Sequence, residues 1–332
     1  MSDNTSKSEQ QQQMKEIFIC ADIWLEVLAF LDPFDVGLTM ALISDRLDVL
    51  VDVHFKSREW LLDSLRICRA TDGNGAQIYN ARSDELLPIP EGRLPNQVTG
   101  FETIWISYVD RSVIEFLQRI RRLFDSFGTI EIYTSADQSC SWQIICQKLW
   151  PLVNDNICRF LLLIPSVLRR LRQFSPAILR NCPNLRSIDS IGLYPEFPAE
   201  DHAAASSRQA MAKWLLTPRG DGLPKMLYCG RYSEGMEELK GSFVNASEPV
   251  NFIISFWIED DDFGPFELKN NLTGERLTMR QMHKDKWLLV RCPIGREEDK
   301  WANWEKEAIV WVRTRQWNFI SIRFNDRDVG DG

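Results

Sequence analysis

Residues 103–135 read TIWISYVDRSVIEFLQRIRRLFDSFGTIEIYTS. Thr103 to Val109, TIWISYV, reads as a strand. From Val113 the apolar spacing changes to three and four. Val113, Phe116, Leu117, Ile120, Leu123, Phe124 and Phe127 would share one side of a helix. Thr129 to Ser135, TIEIYTS, then reads as a strand again. A strand, an amphipathic helix and a second strand follow one another with little chain to spare.

The unit recurs. Strand-like segments begin near Thr103, Thr129, Ile157, Asn184, Lys225 and Asn251, at intervals of 26, 28, 27, 41 and 26 residues. The long interval holds Pro195, Pro198 and Ala203–Ser207 and reads as a loop insertion. Helical spacing falls between the strands, as at Trp142, Ile145, Cys146, Leu149 and Val153, or at Met236, Leu239 and Phe243. Each such unit can bury its apolar face only on its neighbours, so a fixed period predicts a β-α solenoid over residues 101–262.

On either side the pattern changes. Phe266–Asn270 and Arg276–Met282 flank Thr273-Gly274 and read as a hairpin; Trp287–Cys292 reads as a strand and Glu297–Val312 as a helix. Ile320, Ile322 and Phe324 alternate with Ser321 and Arg323 as a last strand, so residues 263–332 are expected to form an α/β cap that closes the array. Upstream, Leu65–Arg69 and Ala76–Asn80 surround Asp72-Gly73-Asn74-Gly75, whose glycines supply the positive φ of a tight turn. With Pro88, Pro90 and Pro95, residues 59–100 read as a hairpin and stiff linker. Residues 1–17, with Gln10–Gln13, hold too little apolar surface to offset ordering entropy and read as a disordered tail.

Residues 18–58 read as three short helices. Ile23, Trp24, Val27, Leu28, Phe30 and Leu31 follow helical spacing. Asp32-Pro33 ends that helix and starts the next, since Asp caps free N–H groups and Pro has none to waste. A second helix carries Val36, Leu38, Met40, Leu42 and Ile43, and Ser44 caps a third with Leu47, Leu50 and Val51 inside. So small a core needs a partner or a neighbouring domain. The fold class expected is α+β: three helices, an irregular β-α solenoid and a cap.

Composition sets limits. The 332 residues are 44% hydrophobic and 26% charged, the balance of an ordinary globular chain. A formal net charge of −8 argues against nucleic acid as a partner, because nonspecific binding to phosphate rests on surplus Lys and Arg. No apolar run reaches bilayer length, and Met1–Gln13 lacks a signal-peptide core, so a cytoplasmic or nuclear location without membrane contact is expected. Eight cysteines without a CxxC pair, and three scattered histidines, offer no zinc site; no metal or other cofactor is expected. No P-loop, G-x-S-x-G or H-E-x-x-H occurs, and Gly73-x-Gly75 lacks a third glycine.

The stretch ICADIWLEVLAFLDPFDVGLTMALISDRLDVLVDVHF, residues 19–55, resembles the F-box. Ile19 stands for the family's first Leu, Asp22 for the acid, and Leu31 for the Leu that ends the first helix. Asp32-Pro33 with Asp35 forms the junction, and Ile43-Ser44 stands for Val-Ser. Cys20 stands where the family has Pro, and Leu47 where it has an aromatic. Cys182-Pro183-Asn184-Leu185-Arg186-Ser187-Ile188 is similar to the start of a leucine-rich repeat. The resemblance implies the substrate receptor of a Skp–cullin–F-box ubiquitin ligase. Its F-box docks on a Skp-family adaptor and through it on a cullin; its repeats hold a protein substrate. Such a receptor does no bond chemistry and acts by proximity. Ile19, Cys20, Ile23, Val27, Leu28, Leu31 and Val36 would then contact the adaptor.

If strands line a concave face, Glu131, Tyr133, Arg159, Arg186, Asp189 and Tyr228 are candidate substrate contacts. Arg119, Arg121 and Arg122, with Arg169, Arg170 and Arg172, are either a basic stripe or solvated helix faces. Glu259–Asp262 reads as a solvated acidic loop, and Trp301, Trp304 and Trp311 as one packed helix face. Two rival functions remain: a non-ligase scaffold with a degenerate F-box, which Cys20 and Leu47 would suit, and a hydrolase or transferase with a convergent nucleophile and base.

Overall fold

The computed structural model describes residues 19–330 apart from 32–35, 38, 56–59, 82–83, 95, 97, 126–127, 233–234, 258–263, 284 and 310–317. The expected tail, the Asp32-Pro33 junction with Asp35, the Glu259–Asp262 loop and Trp311 lie outside the described residues.

The described residues begin with α1 (Ala21–Phe30), a 3-10 turn (Met40–Leu42) and α2 (Asp45–Phe55). Then come β1 (Trp60–Arg69), β2 (Ala76–Asn80) and β3 (Glu85–Pro88). Strands and helices next alternate: β4 (Val98–Ile106), α3 (Arg111–Arg119), β5 (Gly128–Ile132), and the helical pieces α4 (Ser139–Ile144) and α5 (Trp150–Val153), joined by a π turn. The alternation continues through β6 (Ile157–Leu163), α6 (Pro165–Phe174), β7 (Ser187–Ser190), α7 (Ser207–Leu215), β8 (Lys225–Arg231), α8 (Met236–Val244) and β9 (Phe252–Trp257). The chain closes with β10 (Phe266–Asn270), β11 (Glu275–His283), β12 (Lys286–Pro293), α9 (Glu298–Ile309) and β13 (Phe319–Ile322).

Local chemistry accounts for several ends. Asp110 caps α3 by accepting from the Val113 N–H at 3.0 Å. Ser206 and Gln209 form a capping box at α7, a serine oxygen on the third N–H and a glutamine oxygen on the first. Gly73 and Gly75 turn β1 into β2 with φ near +80°.

The described strands form one mostly parallel sheet in the order β10-β11-β12-β9-β8-β7-β6-β5-β13-β4-β1-β2-β3. From β9 to β1 neighbours run parallel, and antiparallel strands flank them at both edges. One face carries the main core. Ile104, Ile320, Ile130, Phe160, Ile188, Leu227 and Ile254 stand in one register across the strands and belong to the same buried cluster as Phe116, Leu168, Trp214 and Phe243 of the connecting helices. Residues one step along point the other way. Met226, Ile253, Leu288 and Val290 bury against Trp301 and Ala308 of α9. Trp301 also meets Trp304 edge-on at 5.3 Å, the packed aromatic face read from the sequence.

The arrangement differs from an uninterrupted array followed by a cap. β4 and β5 are not neighbours: β13, from the far end of the chain, lies between them and pairs parallel with both. Its alternation explains the fit. Ile320 and Ile322 extend the core on one face, while Ser321 and Arg323 bond Glu131 on the other. The expected boundaries at 100 and 262 therefore fall inside one sheet. Residues 59–100 add β1 as a parallel neighbour of β4, with β2 and β3 outside it, and residues 263–332 both extend the opposite edge and return to the middle.

The return is anchored beyond β13. Asp326 Oδ1 accepts from the Ser141 N–H at 2.8 Å, at the start of α4, and Asp326 N–H donates to Gln138 at 2.9 Å. Asp326→Ala is expected to lower unfolding free energy by about 1 kcal/mol, the usual cost of losing a helix cap, as measured by urea denaturation.

Candidate protein-binding surfaces

The sheet face opposite the connecting helices is one candidate. It divides in two. Toward β8, β9 and β12 it is covered by α9; toward β4, β13 and β5 it carries aromatic and charged side chains. In register across the latter part stand Trp105, Ser321 and Glu131.

The six expected contact residues share this face but not one role. Glu131 is buried, and its Oε2 accepts from Ser321 Oγ and Arg323 Nη2, each at 2.8 Å. It locks β13 to β5 and offers little to a partner. Asp189 is also buried. Arg186 is engaged by α9, its two terminal nitrogens donating to Glu307 at 3.1 and 3.0 Å. Glu131 and Arg186 differ from the expected exposed row because the C-terminal segment folds back and uses them, and Asp189 differs in being buried. Tyr133 is exposed, with the Arg323 guanidinium 4.8 Å from its ring centre. Tyr228 is half-buried, and its hydroxyl accepts from Trp257 Nε1 at 2.7 Å. Arg159 is half-buried, and burial pulls its pKa below the ordinary arginine value, with Glu307 and Asp189 opposing the shift.

Sequence reasoning missed Trp105, Trp257 and Arg323. Alternation at TIWISYV does place Trp105 opposite Ile104 and Ile106. Its Nε1 is buried and finds no acceptor among the described residues. Arg121 and Arg169 are exposed, whereas other members of the arginine stripes act as clasps. Arg119 donates to the Pro90 carbonyl at 2.6 Å and Arg122 to Val98 at 2.6 Å. Arg172 is buried and holds the carbonyl of His202 at 2.7 Å and that of Ala205.

The small helical unit is the second candidate. Its seven expected contacts separate by burial. Leu28 and Val36 are sealed at 0% and 1% exposure and are core, not interface. That follows from size: three short helices must spend some apolar residues on one another. Ile19 and Leu31 are half-buried, Leu31 against the core, and Arg46 donates to the Ile19 carbonyl. Cys20 is exposed. Ile23 and Val27 are 53% and 41% exposed, and Phe30, on the same line of α1, is 91% exposed. Val49 and Val53 form a second exposed apolar line on α2, and Leu42 and Ile43 are exposed between the helices. The spacing that marks a helix does not say which side its neighbours leave bare, so these positions were not separable in the sequence. Leu42 and Ile43 also border a groove of about 420 Å³ whose other wall is Leu87, Pro88, Ile89 and Pro90.

Among the described residues no cluster of three His, Cys, Asp or Glu could hold a metal, and no helix is long and apolar enough to cross a membrane. Burial pushes the Cys146 and Cys182 thiols up to about 12, which leaves them protonated at neutral pH. Comparison with models of known families, with curated proteins and with solved structures found no match to this chain.

Proposed function

We propose that the chain is the substrate receptor of a Skp–cullin–F-box ubiquitin ligase, with α1, α2 and the turn between them as F-box and the remaining chain as an irregular β-α solenoid. The observation that carries this reading is Ile23, Val27 and Phe30 exposed along α1, in the segment that resembles the F-box. Large exposed apolar side chains in line favour a protein partner over water. On the solenoid, the part of that sheet face that carries half-buried Trp105 and exposed Tyr133 and Arg323 suits a protein target, since Trp, Tyr and Arg lead at binding hot spots. The receptor supplies proximity, and ubiquitin transfer belongs to the other subunits.

Co-expression with a Skp-family adaptor and a cullin tests this. The three chains are expected to co-elute as one assembly on gel filtration. Elution of the chain apart from an intact adaptor–cullin complex would sink the reading.

A further inference from the structure

We propose that the helical unit takes a partner surface that is apolar at its centre and basic at its rim. The proposal rests on the adaptor reading and adds the chemistry the adaptor must bring. Residues 19–55 hold seven carboxylates and one arginine, a formal net charge of −6 against −8 for the whole chain. The described carboxylates lie beside the exposed apolar lines, not away from them. On α1, Asp22 and Glu26 are exposed and each precedes a residue of the Ile23–Val27 line. On α2, exposed Asp48 and Asp52 likewise precede exposed Val49 and Val53, and Asp45 begins the same row. Apolar side chains so exposed call for cover, and a covering surface of acidic character would set like charges against these rows at a cost of several-fold in affinity or more. A basic rim meets them.

The test uses the full chain and three probes: a Skp-family adaptor, an amphipathic Leu/Lys helical peptide, and its Leu/Glu counterpart. Binding is read by fluorescence anisotropy at low and high salt. The Leu/Lys peptide is expected to bind at least about tenfold tighter than the Leu/Glu peptide at low salt, with the preference shrinking as salt screens it. Asp45→Asn/Asp48→Asn/Asp52→Asn should cut the preference severalfold. Glu237→Gln/Glu238→Gln/Glu297→Gln removes the same charge elsewhere and should keep it. Equal binding of both peptides, or equal loss in both triple variants, overturns the proposal, because the attraction is then absent or belongs to bulk charge. An adaptor that binds both triple variants alike, with no salt dependence, leaves the adaptor reading standing and removes the charge rule. A peptide preference that follows the aspartates without any adaptor binding does the reverse.

Discussion

Glu275→Ala is expected to destabilise the protein by about 3–5 kcal/mol, the range for stranding one member of a buried ion pair. Glu275 on β11 and Arg291 on β12 are both buried almost completely, and Arg291 Nη2 donates to Glu275 Oε2 at 2.6 Å. Neither charge has a second route to water. Glu275 Oε1 also accepts from the Val250 N–H at 2.8 Å, Arg291 Nη2 donates to the Glu248 carbonyl at 3.0 Å, and the guanidinium lies 5.2 Å from the Phe243 ring centre. The pair thus ties the antiparallel edge to the segment entering β9. Removing the carboxylate leaves the cation buried and the Val250 N–H without its acceptor. Glu275→Leu/Arg291→Met should recover most of the loss, because no charge is then desolvated. Guanidinium denaturation of the three chains measures both effects. A single-variant loss below about 1 kcal/mol, the level of a solvent-exposed pair, would mean that water reaches the pair.

Lys225→Met is expected to raise stability at neutral pH and below, and to lose that advantage as pH rises. Lys225 starts β8 with its ammonium enclosed. It donates to the Trp214 carbonyl, with the indole centre 5.0 Å from Nζ. Burial first, then the charges of Arg219 and Arg180, lowers its pKa from the ordinary 10.5 to about 7. Between those values the unfolded chain carries a proton on Lys225 that the folded chain lacks. Wild-type stability relative to the variant therefore climbs from about pH 7 toward 10.5 and is flat below. Each tenfold loss of proton affinity on folding is worth about 1.4 kcal/mol, so the full swing is on the order of several kcal/mol. The difference between the two chains isolates this group from the cysteines and tyrosines that titrate nearby. Urea denaturation at stepped pH reads it, and a constant difference across the range would place the amine in contact with water.

The regular part of this fold was legible because it is local. The short apolar runs at Ile157, Lys225 and Asn251 and the three-and-four spacing after Val113 match β6, β8, β9 and α3, because a run or a stripe of apolar residues is a signal carried by neighbouring positions. Sheet order was not. The alternation of Ile320 and Ile322 says that one face is buried but not between which strands, and a parallel neighbour can come from any distance along the chain. The loss of Glu131 as a contact residue follows from that return, and that of Arg186 from α9 on the same face. In the helical unit α1 and α2 were legible and the exposed apolar positions were not, since Leu28 and Val27 have the same chemistry and differ only in what packs on them.

The proposed receptor role turns on the apolar line of α1, and calorimetry with a purified Skp-family adaptor tests it most directly. The wild type is compared with Ile23→Asp/Val27→Asp, two exposed positions whose change spares the core. The wild type is predicted to bind, and the variant to stay folded and bind at least about a hundredfold more weakly, since a docked surface would bury two unpaired charges. A wild type that binds no adaptor, or a variant that binds as well as the wild type, would contradict the receptor reading.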